Sequence, residues 1–173
     1  MAGTGDAARD GRAGLRPARG LASTVTLRPP RPGEAGVLTA VCLQSKAHWG
    51  YDRAFMKACR AELTLAEADL DRGRLQVAQR AGAIVGVAEI ALADGEASLE
   101  KLFVVPEAMG CGVGGMLFAW AVAACRHGGA RRMVIEADPD AAAFYRKHGA
   151  RDAGQSPSGS IPGRFLPRLV LDL

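Results

Sequence analysis

Residues 110–115, Gly-Cys-Gly-Val-Gly-Gly, have the composition of an anion-binding loop. Four of these six residues are glycines, and the segment lies between a predicted strand and a predicted helix. The first N–H groups of a helix have no partner within the helix and lie at the positive end of its dipole. Because glycine has no Cβ, a phosphate group can come close to those N–H groups. We therefore predict that this glycine loop, residues 110–115, binds a phosphate group.

The glycine loop has three other interpretations, two of them as a different nucleotide-binding motif and one purely structural. A mononucleotide P-loop requires Lys and then Ser or Thr after its last glycine, and this sequence has neither. Gly110, Gly112 and Gly115 match the G-x-G-x-x-G pattern of dinucleotide-binding domains, but residues 106–109 separate them from the strand. The chain from Arg131 onwards is also short for that fold. A flexible turn that packs a helix closely is the purely structural alternative.

The residues before the loop predict a three-stranded antiparallel meander. Apolar patterns at 75–80, 84–92 and 97–105 indicate three strands. Their connections are short, and the second of them, Asp94-Gly95, is a strong hairpin signal. The meander is followed, after residues 106–109, by the glycine loop.

The rest of the chain completes an α+β pattern with one central mixed sheet. In the first predicted helix, we expect Val37, Leu38, Val41 and Cys42 to form the buried face. The remaining predicted elements are a strand at 24–28, helices at 33–46 and after an N-cap at Asp52, a helical or loop piece at 65–71, a helix at 113–127, a strand at 132–137, a helix at 140–148 and a hairpin at 151–155 and 166–171.

Residues 102–117, LFVVPEAMGCGVGGML, resemble the acetyl-CoA-binding motif of the GNAT (GCN5-related N-acetyltransferase) superfamily. The family pattern is [Q/R]-x-x-G-x-[G/A] after a strand that ends in a Val-x-Pro-like turn. Gly112 and Gly114 match the two glycine positions, and Gly110 matches a frequent additional one. Met109 stands where the family usually has Arg or Gln, so binding would depend on main-chain amides.

A second segment, residues 138–150, resembles the family pattern N-x-x-A-x-x-[F/L]-Y-x-x-x-G-F. Asp138 replaces the usual Asn, and Ala150 replaces the usual Phe. Two motifs in this order, separated by a helix and a strand, are far more specific than either alone. On these motifs the chain is identified as a member of the GNAT superfamily, of the small bacterial type.

The resemblance implies the GNAT fold, an α+β domain with a central, mostly antiparallel sheet of about 6–7 strands flanked by about 4 helices. We expect this single domain to span residues 24–173 and residues 1–23 to be a disordered extension. The implied co-substrate is acetyl-CoA, with its pantetheine arm between two splayed parallel strands. The implied contacts are Phe103, Val104, Val105, Met109, Gly110, Cys111, Gly112, Val113, Gly114, Gly115, Asp138, Ala141, Phe144 and Tyr145.

The resemblance also implies a chemistry, in which an acceptor amine attacks the thioester directly in a ternary complex. Tyr145 is the candidate general acid, although an aromatic beside Phe144 could equally belong to the core. Glu100 and Glu89 lie in predicted strands and are the candidate general bases, and a water relay without a dedicated base stays open. The backbone N–H near Val105 would polarise the thioester carbonyl.

The acceptor site is expected between the first two helices and the final hairpin. Candidate contacts there are His48, Trp49, Tyr51 and Arg164, of which Arg164 could receive a carboxylate or phosphate. The class of amine acceptor stays open among a small amine, an amino acid, an aminoglycoside, a polyamine and a protein N-terminus. A catalytically silent acyl-CoA-binding or regulatory module is the alternative to an enzyme.

Net charge, apolar runs and cysteine spacing exclude several classes of partner and ligand. The net charge is +4, and residues 1–23 contribute four Arg against two Asp, so the remaining excess is small and no nucleic-acid partner is expected. The longest apolar run, residues 116–125, is about half of a membrane span. The cysteines, Cys42, Cys59, Cys111 and Cys125, show neither metal-ligand spacing nor pairs, so we expect a cytoplasmic protein without a metal. A homodimer stays open.

Overall fold

The structure is a computed structural model that describes residues 24–173, so the predicted N-terminal extension lies outside the described residues. Seven strands form one sheet in the order β1-β2-β3-β4-β5-β7-β6. All neighbours in this sheet are antiparallel except β4 and β5, which are parallel. The strands are β1 (Val25–Arg28), β2 (Leu75–Arg80), β3 (Ala83–Ala93), β4 (Glu96–Val104), β5 (Arg132–Glu136), β6 (Arg151–Pro157) and β7 (Phe165–Asp172). The predicted fold class, the meander and the final hairpin are confirmed.

Six α-helices accompany the sheet in this part of the chain, two more than the four expected. After Asp52 two short helices replace the one predicted, although Asp52 caps the first of them as predicted by accepting from the Phe55 N–H at 2.8 Å. The predicted helical or loop piece at 65–71 contains a further short helix. None of these helices is long and apolar enough to cross a membrane. They are α1 (Ala35–Ala47), α2 (Arg53–Ala58), α3 (Arg60–Leu63), α4 (Glu67–Leu70), α5 (Val113–His127) and α6 (Ala142–Lys147), with 3-10 turns at Pro106–Ala108 and Pro139–Ala141.

Helices α1 and α5 pack on opposite faces of the meander. Gly86 of β3 faces α5, where an added Cβ would lie 2.9 Å from Leu117 Cδ1. Glu89, three residues further along β3, points to the other face, because side chains alternate along a strand. The charge of Glu89 there acts on Cys42 of α1. The buried stripe of α1 includes Leu38 and Cys42 as predicted, but Val37 is 51% exposed and does not belong to it.

Strands β4 and β5 separate about halfway along β4 and near the end of β5. Their pairing ends at Leu99 and Ile135. On the other side of β4, Lys101 pairs with Glu89 but Leu99 pairs with Ile90, so Glu100 is one residue too many in the ladder. Such a β-bulge bends the strand that carries it. Beyond Leu99, no strand within residues 24–173 pairs with β4 on the β5 side, which confirms the predicted splay of two parallel strands.

Candidate active site

A cleft of about 890 Å³ opens where β4 and β5 diverge. This volume lies within the range of small-molecule sites, about 300–1,000 Å³. Of the residues predicted to contact acetyl-CoA, Val105, Cys111 and Val113 do not line the cleft. Those that do are Phe103, Val104, Met109, Gly110, Gly112, Gly114, Gly115, Asp138, Ala141, Phe144 and Tyr145.

The glycine loop lies at one end of the cleft, where it leads into α5. Gly110 (φ 74°) and Gly112 (φ 84°) adopt the left-handed conformation that favours glycine, and Gly112 caps the helix. The N–H groups of the first turn of α5, including those of Gly114 and Gly115, have no acceptor within the helix. Met109 packs against the hydrophobic core, so its side chain supplies no polar contact. Anion binding at this loop would therefore depend on main-chain N–H groups, as the sequence predicts.

The backbone of β4 presents hydrogen-bonding groups to the cleft, but not at the residue expected. The Val105 N–H donates to the Val85 carbonyl at 3.0 Å, so β3 already occupies the predicted oxyanion donor. In an antiparallel pair, the backbone groups of successive residues point to opposite sides. The groups of Leu102 and Val104 therefore point away from β3, and the Val104 N–H donates to Ser45 Oγ at 3.4 Å. Strand pairing thus engages the N–H of Val105 itself and decides which backbone groups near Val105 face the cleft.

Tyr145 places its ring in the core and its hydroxyl at the cleft. The residue is 6% exposed, and its ring packs edge-on against Phe118 and Phe144 at centroid distances of 5.6 and 5.1 Å. Burial raises the pKa of Tyr145, and the nearby charge of Asp138 raises it further. Within residues 24–173 its hydroxyl takes part in no hydrogen bond. Tyr145 is thus a core aromatic whose protonated hydroxyl faces the cleft, which is the position that the candidate general acid would need.

The two candidate bases occupy different positions. Glu100, at the bulge, lines the cleft with an exposed side chain that accepts a hydrogen bond from Ser98. Glu89 is paired with Lys101, whose Nζ lies 2.7 Å from the Glu89 carboxylate, and Glu89 does not line the cleft. The structure therefore brings Glu100, and not Glu89, to the site.

The predicted acceptor residues also divide into those that line the cleft and those that do not. Trp49 lines the cleft and is 40% exposed. His48 is exposed beside Trp49, at a centroid distance of 5.4 Å, and does not line the cleft. Tyr51 and Arg164 lie behind the cleft wall, where both contact Asp138. Among the four, Trp49 alone faces the cleft directly.

Asp138 is the centre of a shielded polar cluster that also includes Lys46, Tyr51 and Arg164. Its carboxylate accepts from Lys46 Nζ at 2.8 Å, from the Tyr51 hydroxyl at 2.8 Å and from Arg164 at 3.4 Å. Arg164 also donates to the Tyr51 hydroxyl at 2.7 Å. The side chains of Lys46, Asp138 and Arg164 are between 10% and 18% exposed. We call these four residues the Asp138 cluster.

Contacts within the Asp138 cluster and its burial shift the pKa values of Asp138 and Tyr51. Burial alone would raise the pKa of Asp138, but the hydrogen bond and charge of Lys46, together with the Tyr51 hydroxyl, outweigh it and lower that pKa. Burial and then the hydrogen bond to Asp138 raise the pKa of Tyr51 to about 12. Asp138 is therefore ionised and Tyr51 protonated around neutral pH. The sequence analysis missed Lys46, although its position four residues after Cys42 places a charge on the buried stripe of α1.

Comparisons with known proteins agree with this architecture. Residues 71–149 match the family model described as the acetyltransferase (GNAT) domain. No curated protein matches the sequence significantly. A GCN5-related N-acetyltransferase of Rhodopseudomonas palustris is 24% identical with a TM-score of 0.71, and the match covers 88% of this chain and 98% of that chain.

Two structures with ligands are also similar. The PaiA N-acetyltransferase of Thermoplasma acidophilum, in complex with coenzyme A, is 16% identical with a TM-score of 0.68, covering 87% of this chain and 99% of that chain. A GNAT family acetyltransferase of Brucella melitensis, in complex with acetyl-CoA, is 20% identical with a TM-score of 0.61, covering 87% and 88%. These likenesses establish the fold. Residues 71–149 therefore carry the match to the GNAT acetyltransferase domain, within a chain that has the fold of these GNAT acetyltransferases.

Proposed function

We propose that this protein transfers the acetyl group of acetyl-CoA to a primary amine by direct attack in a ternary complex. The observation that carries the proposal is one continuous cleft. It joins the glycine loop, the open edge of β4 and the hydroxyl of Tyr145. These are the three features needed to hold a pyrophosphate, align a thioester and protonate a leaving thiolate.

Acetyl-CoA fits the groups that the cleft presents. The first-turn N–H groups of α5 suit its pyrophosphate, because they are unpaired and lie at the positive end of the helix dipole. The backbone groups of Leu102 and the carbonyl of Val104, which point away from β3, suit the amides of the pantetheine arm. The bound co-substrate supplies the activated acyl thioester, and the remaining chemistry belongs to the protein and the acceptor.

The reaction needs a neutral amine, although free amines have a pKa of about 10. Glu100 lies at the bulge beside the splayed strands, and we propose that it accepts the ammonium proton directly or through a water. The amine nitrogen then bonds to the thioester carbonyl carbon, the carbon–sulfur bond breaks, and Tyr145 gives its proton to the departing thiolate. The nitrogen loses its remaining extra proton as the amide forms, and this proton restores the Tyr145 hydroxyl. An amine or peptide amine is the proposed acceptor, and Trp49 is its proposed contact in the cleft.

A catalytically silent acyl-CoA-binding module is the second candidate. The observation in its favour is Met109, which packs into the core and leaves the glycine loop without the side-chain contact usual at that position. The protonated hydroxyl of Tyr145 in the cleft favours the enzyme.

Calorimetric titration with acetyl-CoA tests binding, and an amine panel tests turnover. The panel contains glycine, tyramine, spermidine, kanamycin and an alanine tripeptide, with release of the CoA thiol as the signal and the acetylated product identified by mass spectrometry. We expect binding and acetylation of at least one amine. Binding without acetylation would favour the silent module, and absence of binding at millimolar acetyl-CoA would exclude both candidates.

A further inference from the structure

The Asp138 cluster joins elements that are far apart in the chain. Lys46 lies in the last turn of α1, Tyr51 lies between α1 and α2, and Arg164 directly precedes β7. Asp138 lies between β5 and α6, seven residues before Tyr145. The cluster thus links both acceptor-side segments to the turn that leads into the helix of the general acid.

The carboxylate of Asp138 has no free capacity for another role. Its Oδ1 atom accepts from the Tyr51 hydroxyl at 2.9 Å and from the Asp140 N–H at 3.3 Å. Its Oδ2 atom accepts from Lys46, Tyr51 and Arg164. A carboxylate with four donor groups around it is poorly placed to accept a proton from an acceptor amine or to contact a co-substrate. Its contacts therefore indicate a role in holding other residues.

Aromatic stacking makes the same cluster rigid. The rings of Tyr51 and Phe55 are stacked at a centroid distance of 4.0 Å. Arg164 lies over both rings, at 5.1 and 4.8 Å, and Lys46 also lies near both, at 5.4 and 5.8 Å. Cation–π contacts strengthen when the cation is shielded from water, as these are. The two cations and the aromatic pair thus hold each other in one arrangement, with Asp138 as the single carboxylate among them.

The segments held by the cluster form the acceptor side of the cleft. The α1–α2 segment contributes Lys46 and Trp49 to the cleft wall, and the β6–β7 hairpin contributes Gly159 and Leu166. A second tie between these walls exists at the surface, where Ser160 donates to Glu62 of α3. That tie is exposed, whereas the Asp138 cluster is shielded, so the cluster contributes the stronger constraint.

We propose that Asp138 is a positioning residue for the acceptor, which sets the separation of the two acceptor-side walls relative to Tyr145. This inference rests on the proposed acetyl transfer. An Asn at this position would present an amide NH₂ group to two shielded cations and would accept fewer hydrogen bonds. An aspartate here is therefore matched to Lys46 and Arg164.

Hydrogen exchange of the apo protein tests the positioning without any acceptor. In Asp138→Asn we expect amides at 48–55 and 158–164 to exchange about tenfold faster or more, as for loss of a hydrogen bond to a charged group, with residues 110–115 unchanged. Tyr51→Phe keeps both ion pairs and should change exchange in the same direction by less, which covers the case in which Asp138→Asn does not fold. Unchanged exchange in both acceptor-side segments would overturn the proposal.

Steady-state kinetics provides a second test of the positioning role. The substrate is the panel amine that the wild type acetylates with the highest kcat/KM. Asp138→Asn should raise the KM for that amine about tenfold while the Kd for acetyl-CoA stays within about twofold. Within an Arg164→Gln background, the same substitution should add little, because both act through one cluster. Equal rises in the amine KM and the acetyl-CoA Kd would instead indicate general disruption of the fold and refute a positioning role.

Glu34→Gln is the matched control. It breaks the Arg28–Glu34 ion pair, whose side chains are 15% and 18% exposed, at the opposite end of α1. Twelve residues of helix, about 18 Å, separate it from Lys46. Its amine KM and exchange at 48–55 should equal the wild-type values. If no panel amine is acetylated by the wild type, acetyl transfer to such amines fails, and hydrogen exchange alone still decides the role of Asp138.

Discussion

Substitution of Gly114 by Ala should separate acetyl-CoA binding from stability. Gly114 is the second residue of α5 and lines the cleft. An added Cβ would lie 3.5 Å from the nearest atom of the Phe144 ring and 3.9 Å from Val104 Cγ2. Both are ordinary contact distances, so the apo fold accommodates the methyl group. The same methyl group would occupy the floor of the cleft beside the N–H groups that we assign to the pyrophosphate.

The two effects of Gly114→Ala have opposite signs. Alanine stabilises a helix relative to glycine by at most about 1 kcal/mol, so the free energy of unfolding should stay equal or rise slightly. Loss of one hydrogen bond to a charged group costs about 1.5–3 kcal/mol. Acetyl-CoA should therefore bind about 10- to 150-fold more weakly. Urea unfolding measures the first quantity, and calorimetric titration with acetyl-CoA measures the second.

Gly36→Ala is the control for helix propensity. Gly36 is likewise the second residue of its helix, α1, and an added Cβ there meets no atom within 4 Å. Its stability should change as that of Gly114→Ala does, but its Kd for acetyl-CoA should equal that of the wild type. If Gly114→Ala bound acetyl-CoA within twofold of the wild type, the assignment of this helix turn to the pyrophosphate would be wrong.

Four further predictions follow from the cleft and the core. Tyr145→Phe should lower kcat about a hundredfold or more in the thiol-release assay, with the acetyl-CoA Kd and the melting temperature unchanged, because its hydroxyl has no hydrogen-bond partner among the described residues; unchanged turnover would exclude the acid role. Glu100→Gln should lower kcat/KM in the thiol-release assay with the acetyl-CoA Kd unchanged, because its amide cannot accept the ammonium proton, and a kcat/KM equal to that of the wild type would remove Glu100 from the mechanism. Gly86→Ala should destabilise the fold by about 1–3 kcal/mol in urea unfolding, since its Cβ would lie 3.1 Å from the Phe103 carbonyl oxygen, which cannot move freely; equal stability would contradict this. The lowered pKa of Asp138 means that its ionised form stabilises the fold fully above the unfolded pKa of about 3.9, and that this contribution is lost as pH falls through the lower folded pKa. Thermal unfolding should therefore separate wild type from Asp138→Asn at pH 7 more than at about pH 2, and an equal difference at both pH values would count against it.

The local features of this protein could be predicted from sequence because local physics produces them. The period of apolar residues places most strands and helices within a few residues of their observed bounds, and the glycine loop lies between β4 and α5 as predicted. The segment after Asp52 was less predictable. One helix was predicted there, but the segment folds as two short helices of six and four residues.

The sequence by itself determined the order of elements, the glycine loop and the tyrosine of the second motif, since each depends on neighbours within a few residues. The tertiary structure decided which groups meet. Register, a property of two paired strands, places the bulge at Glu100 and engages the Val105 N–H. The Asp138 cluster draws on segments as far apart as residues 46 and 164. No local pattern encodes such convergence, because it depends on how the helices pack on the finished sheet.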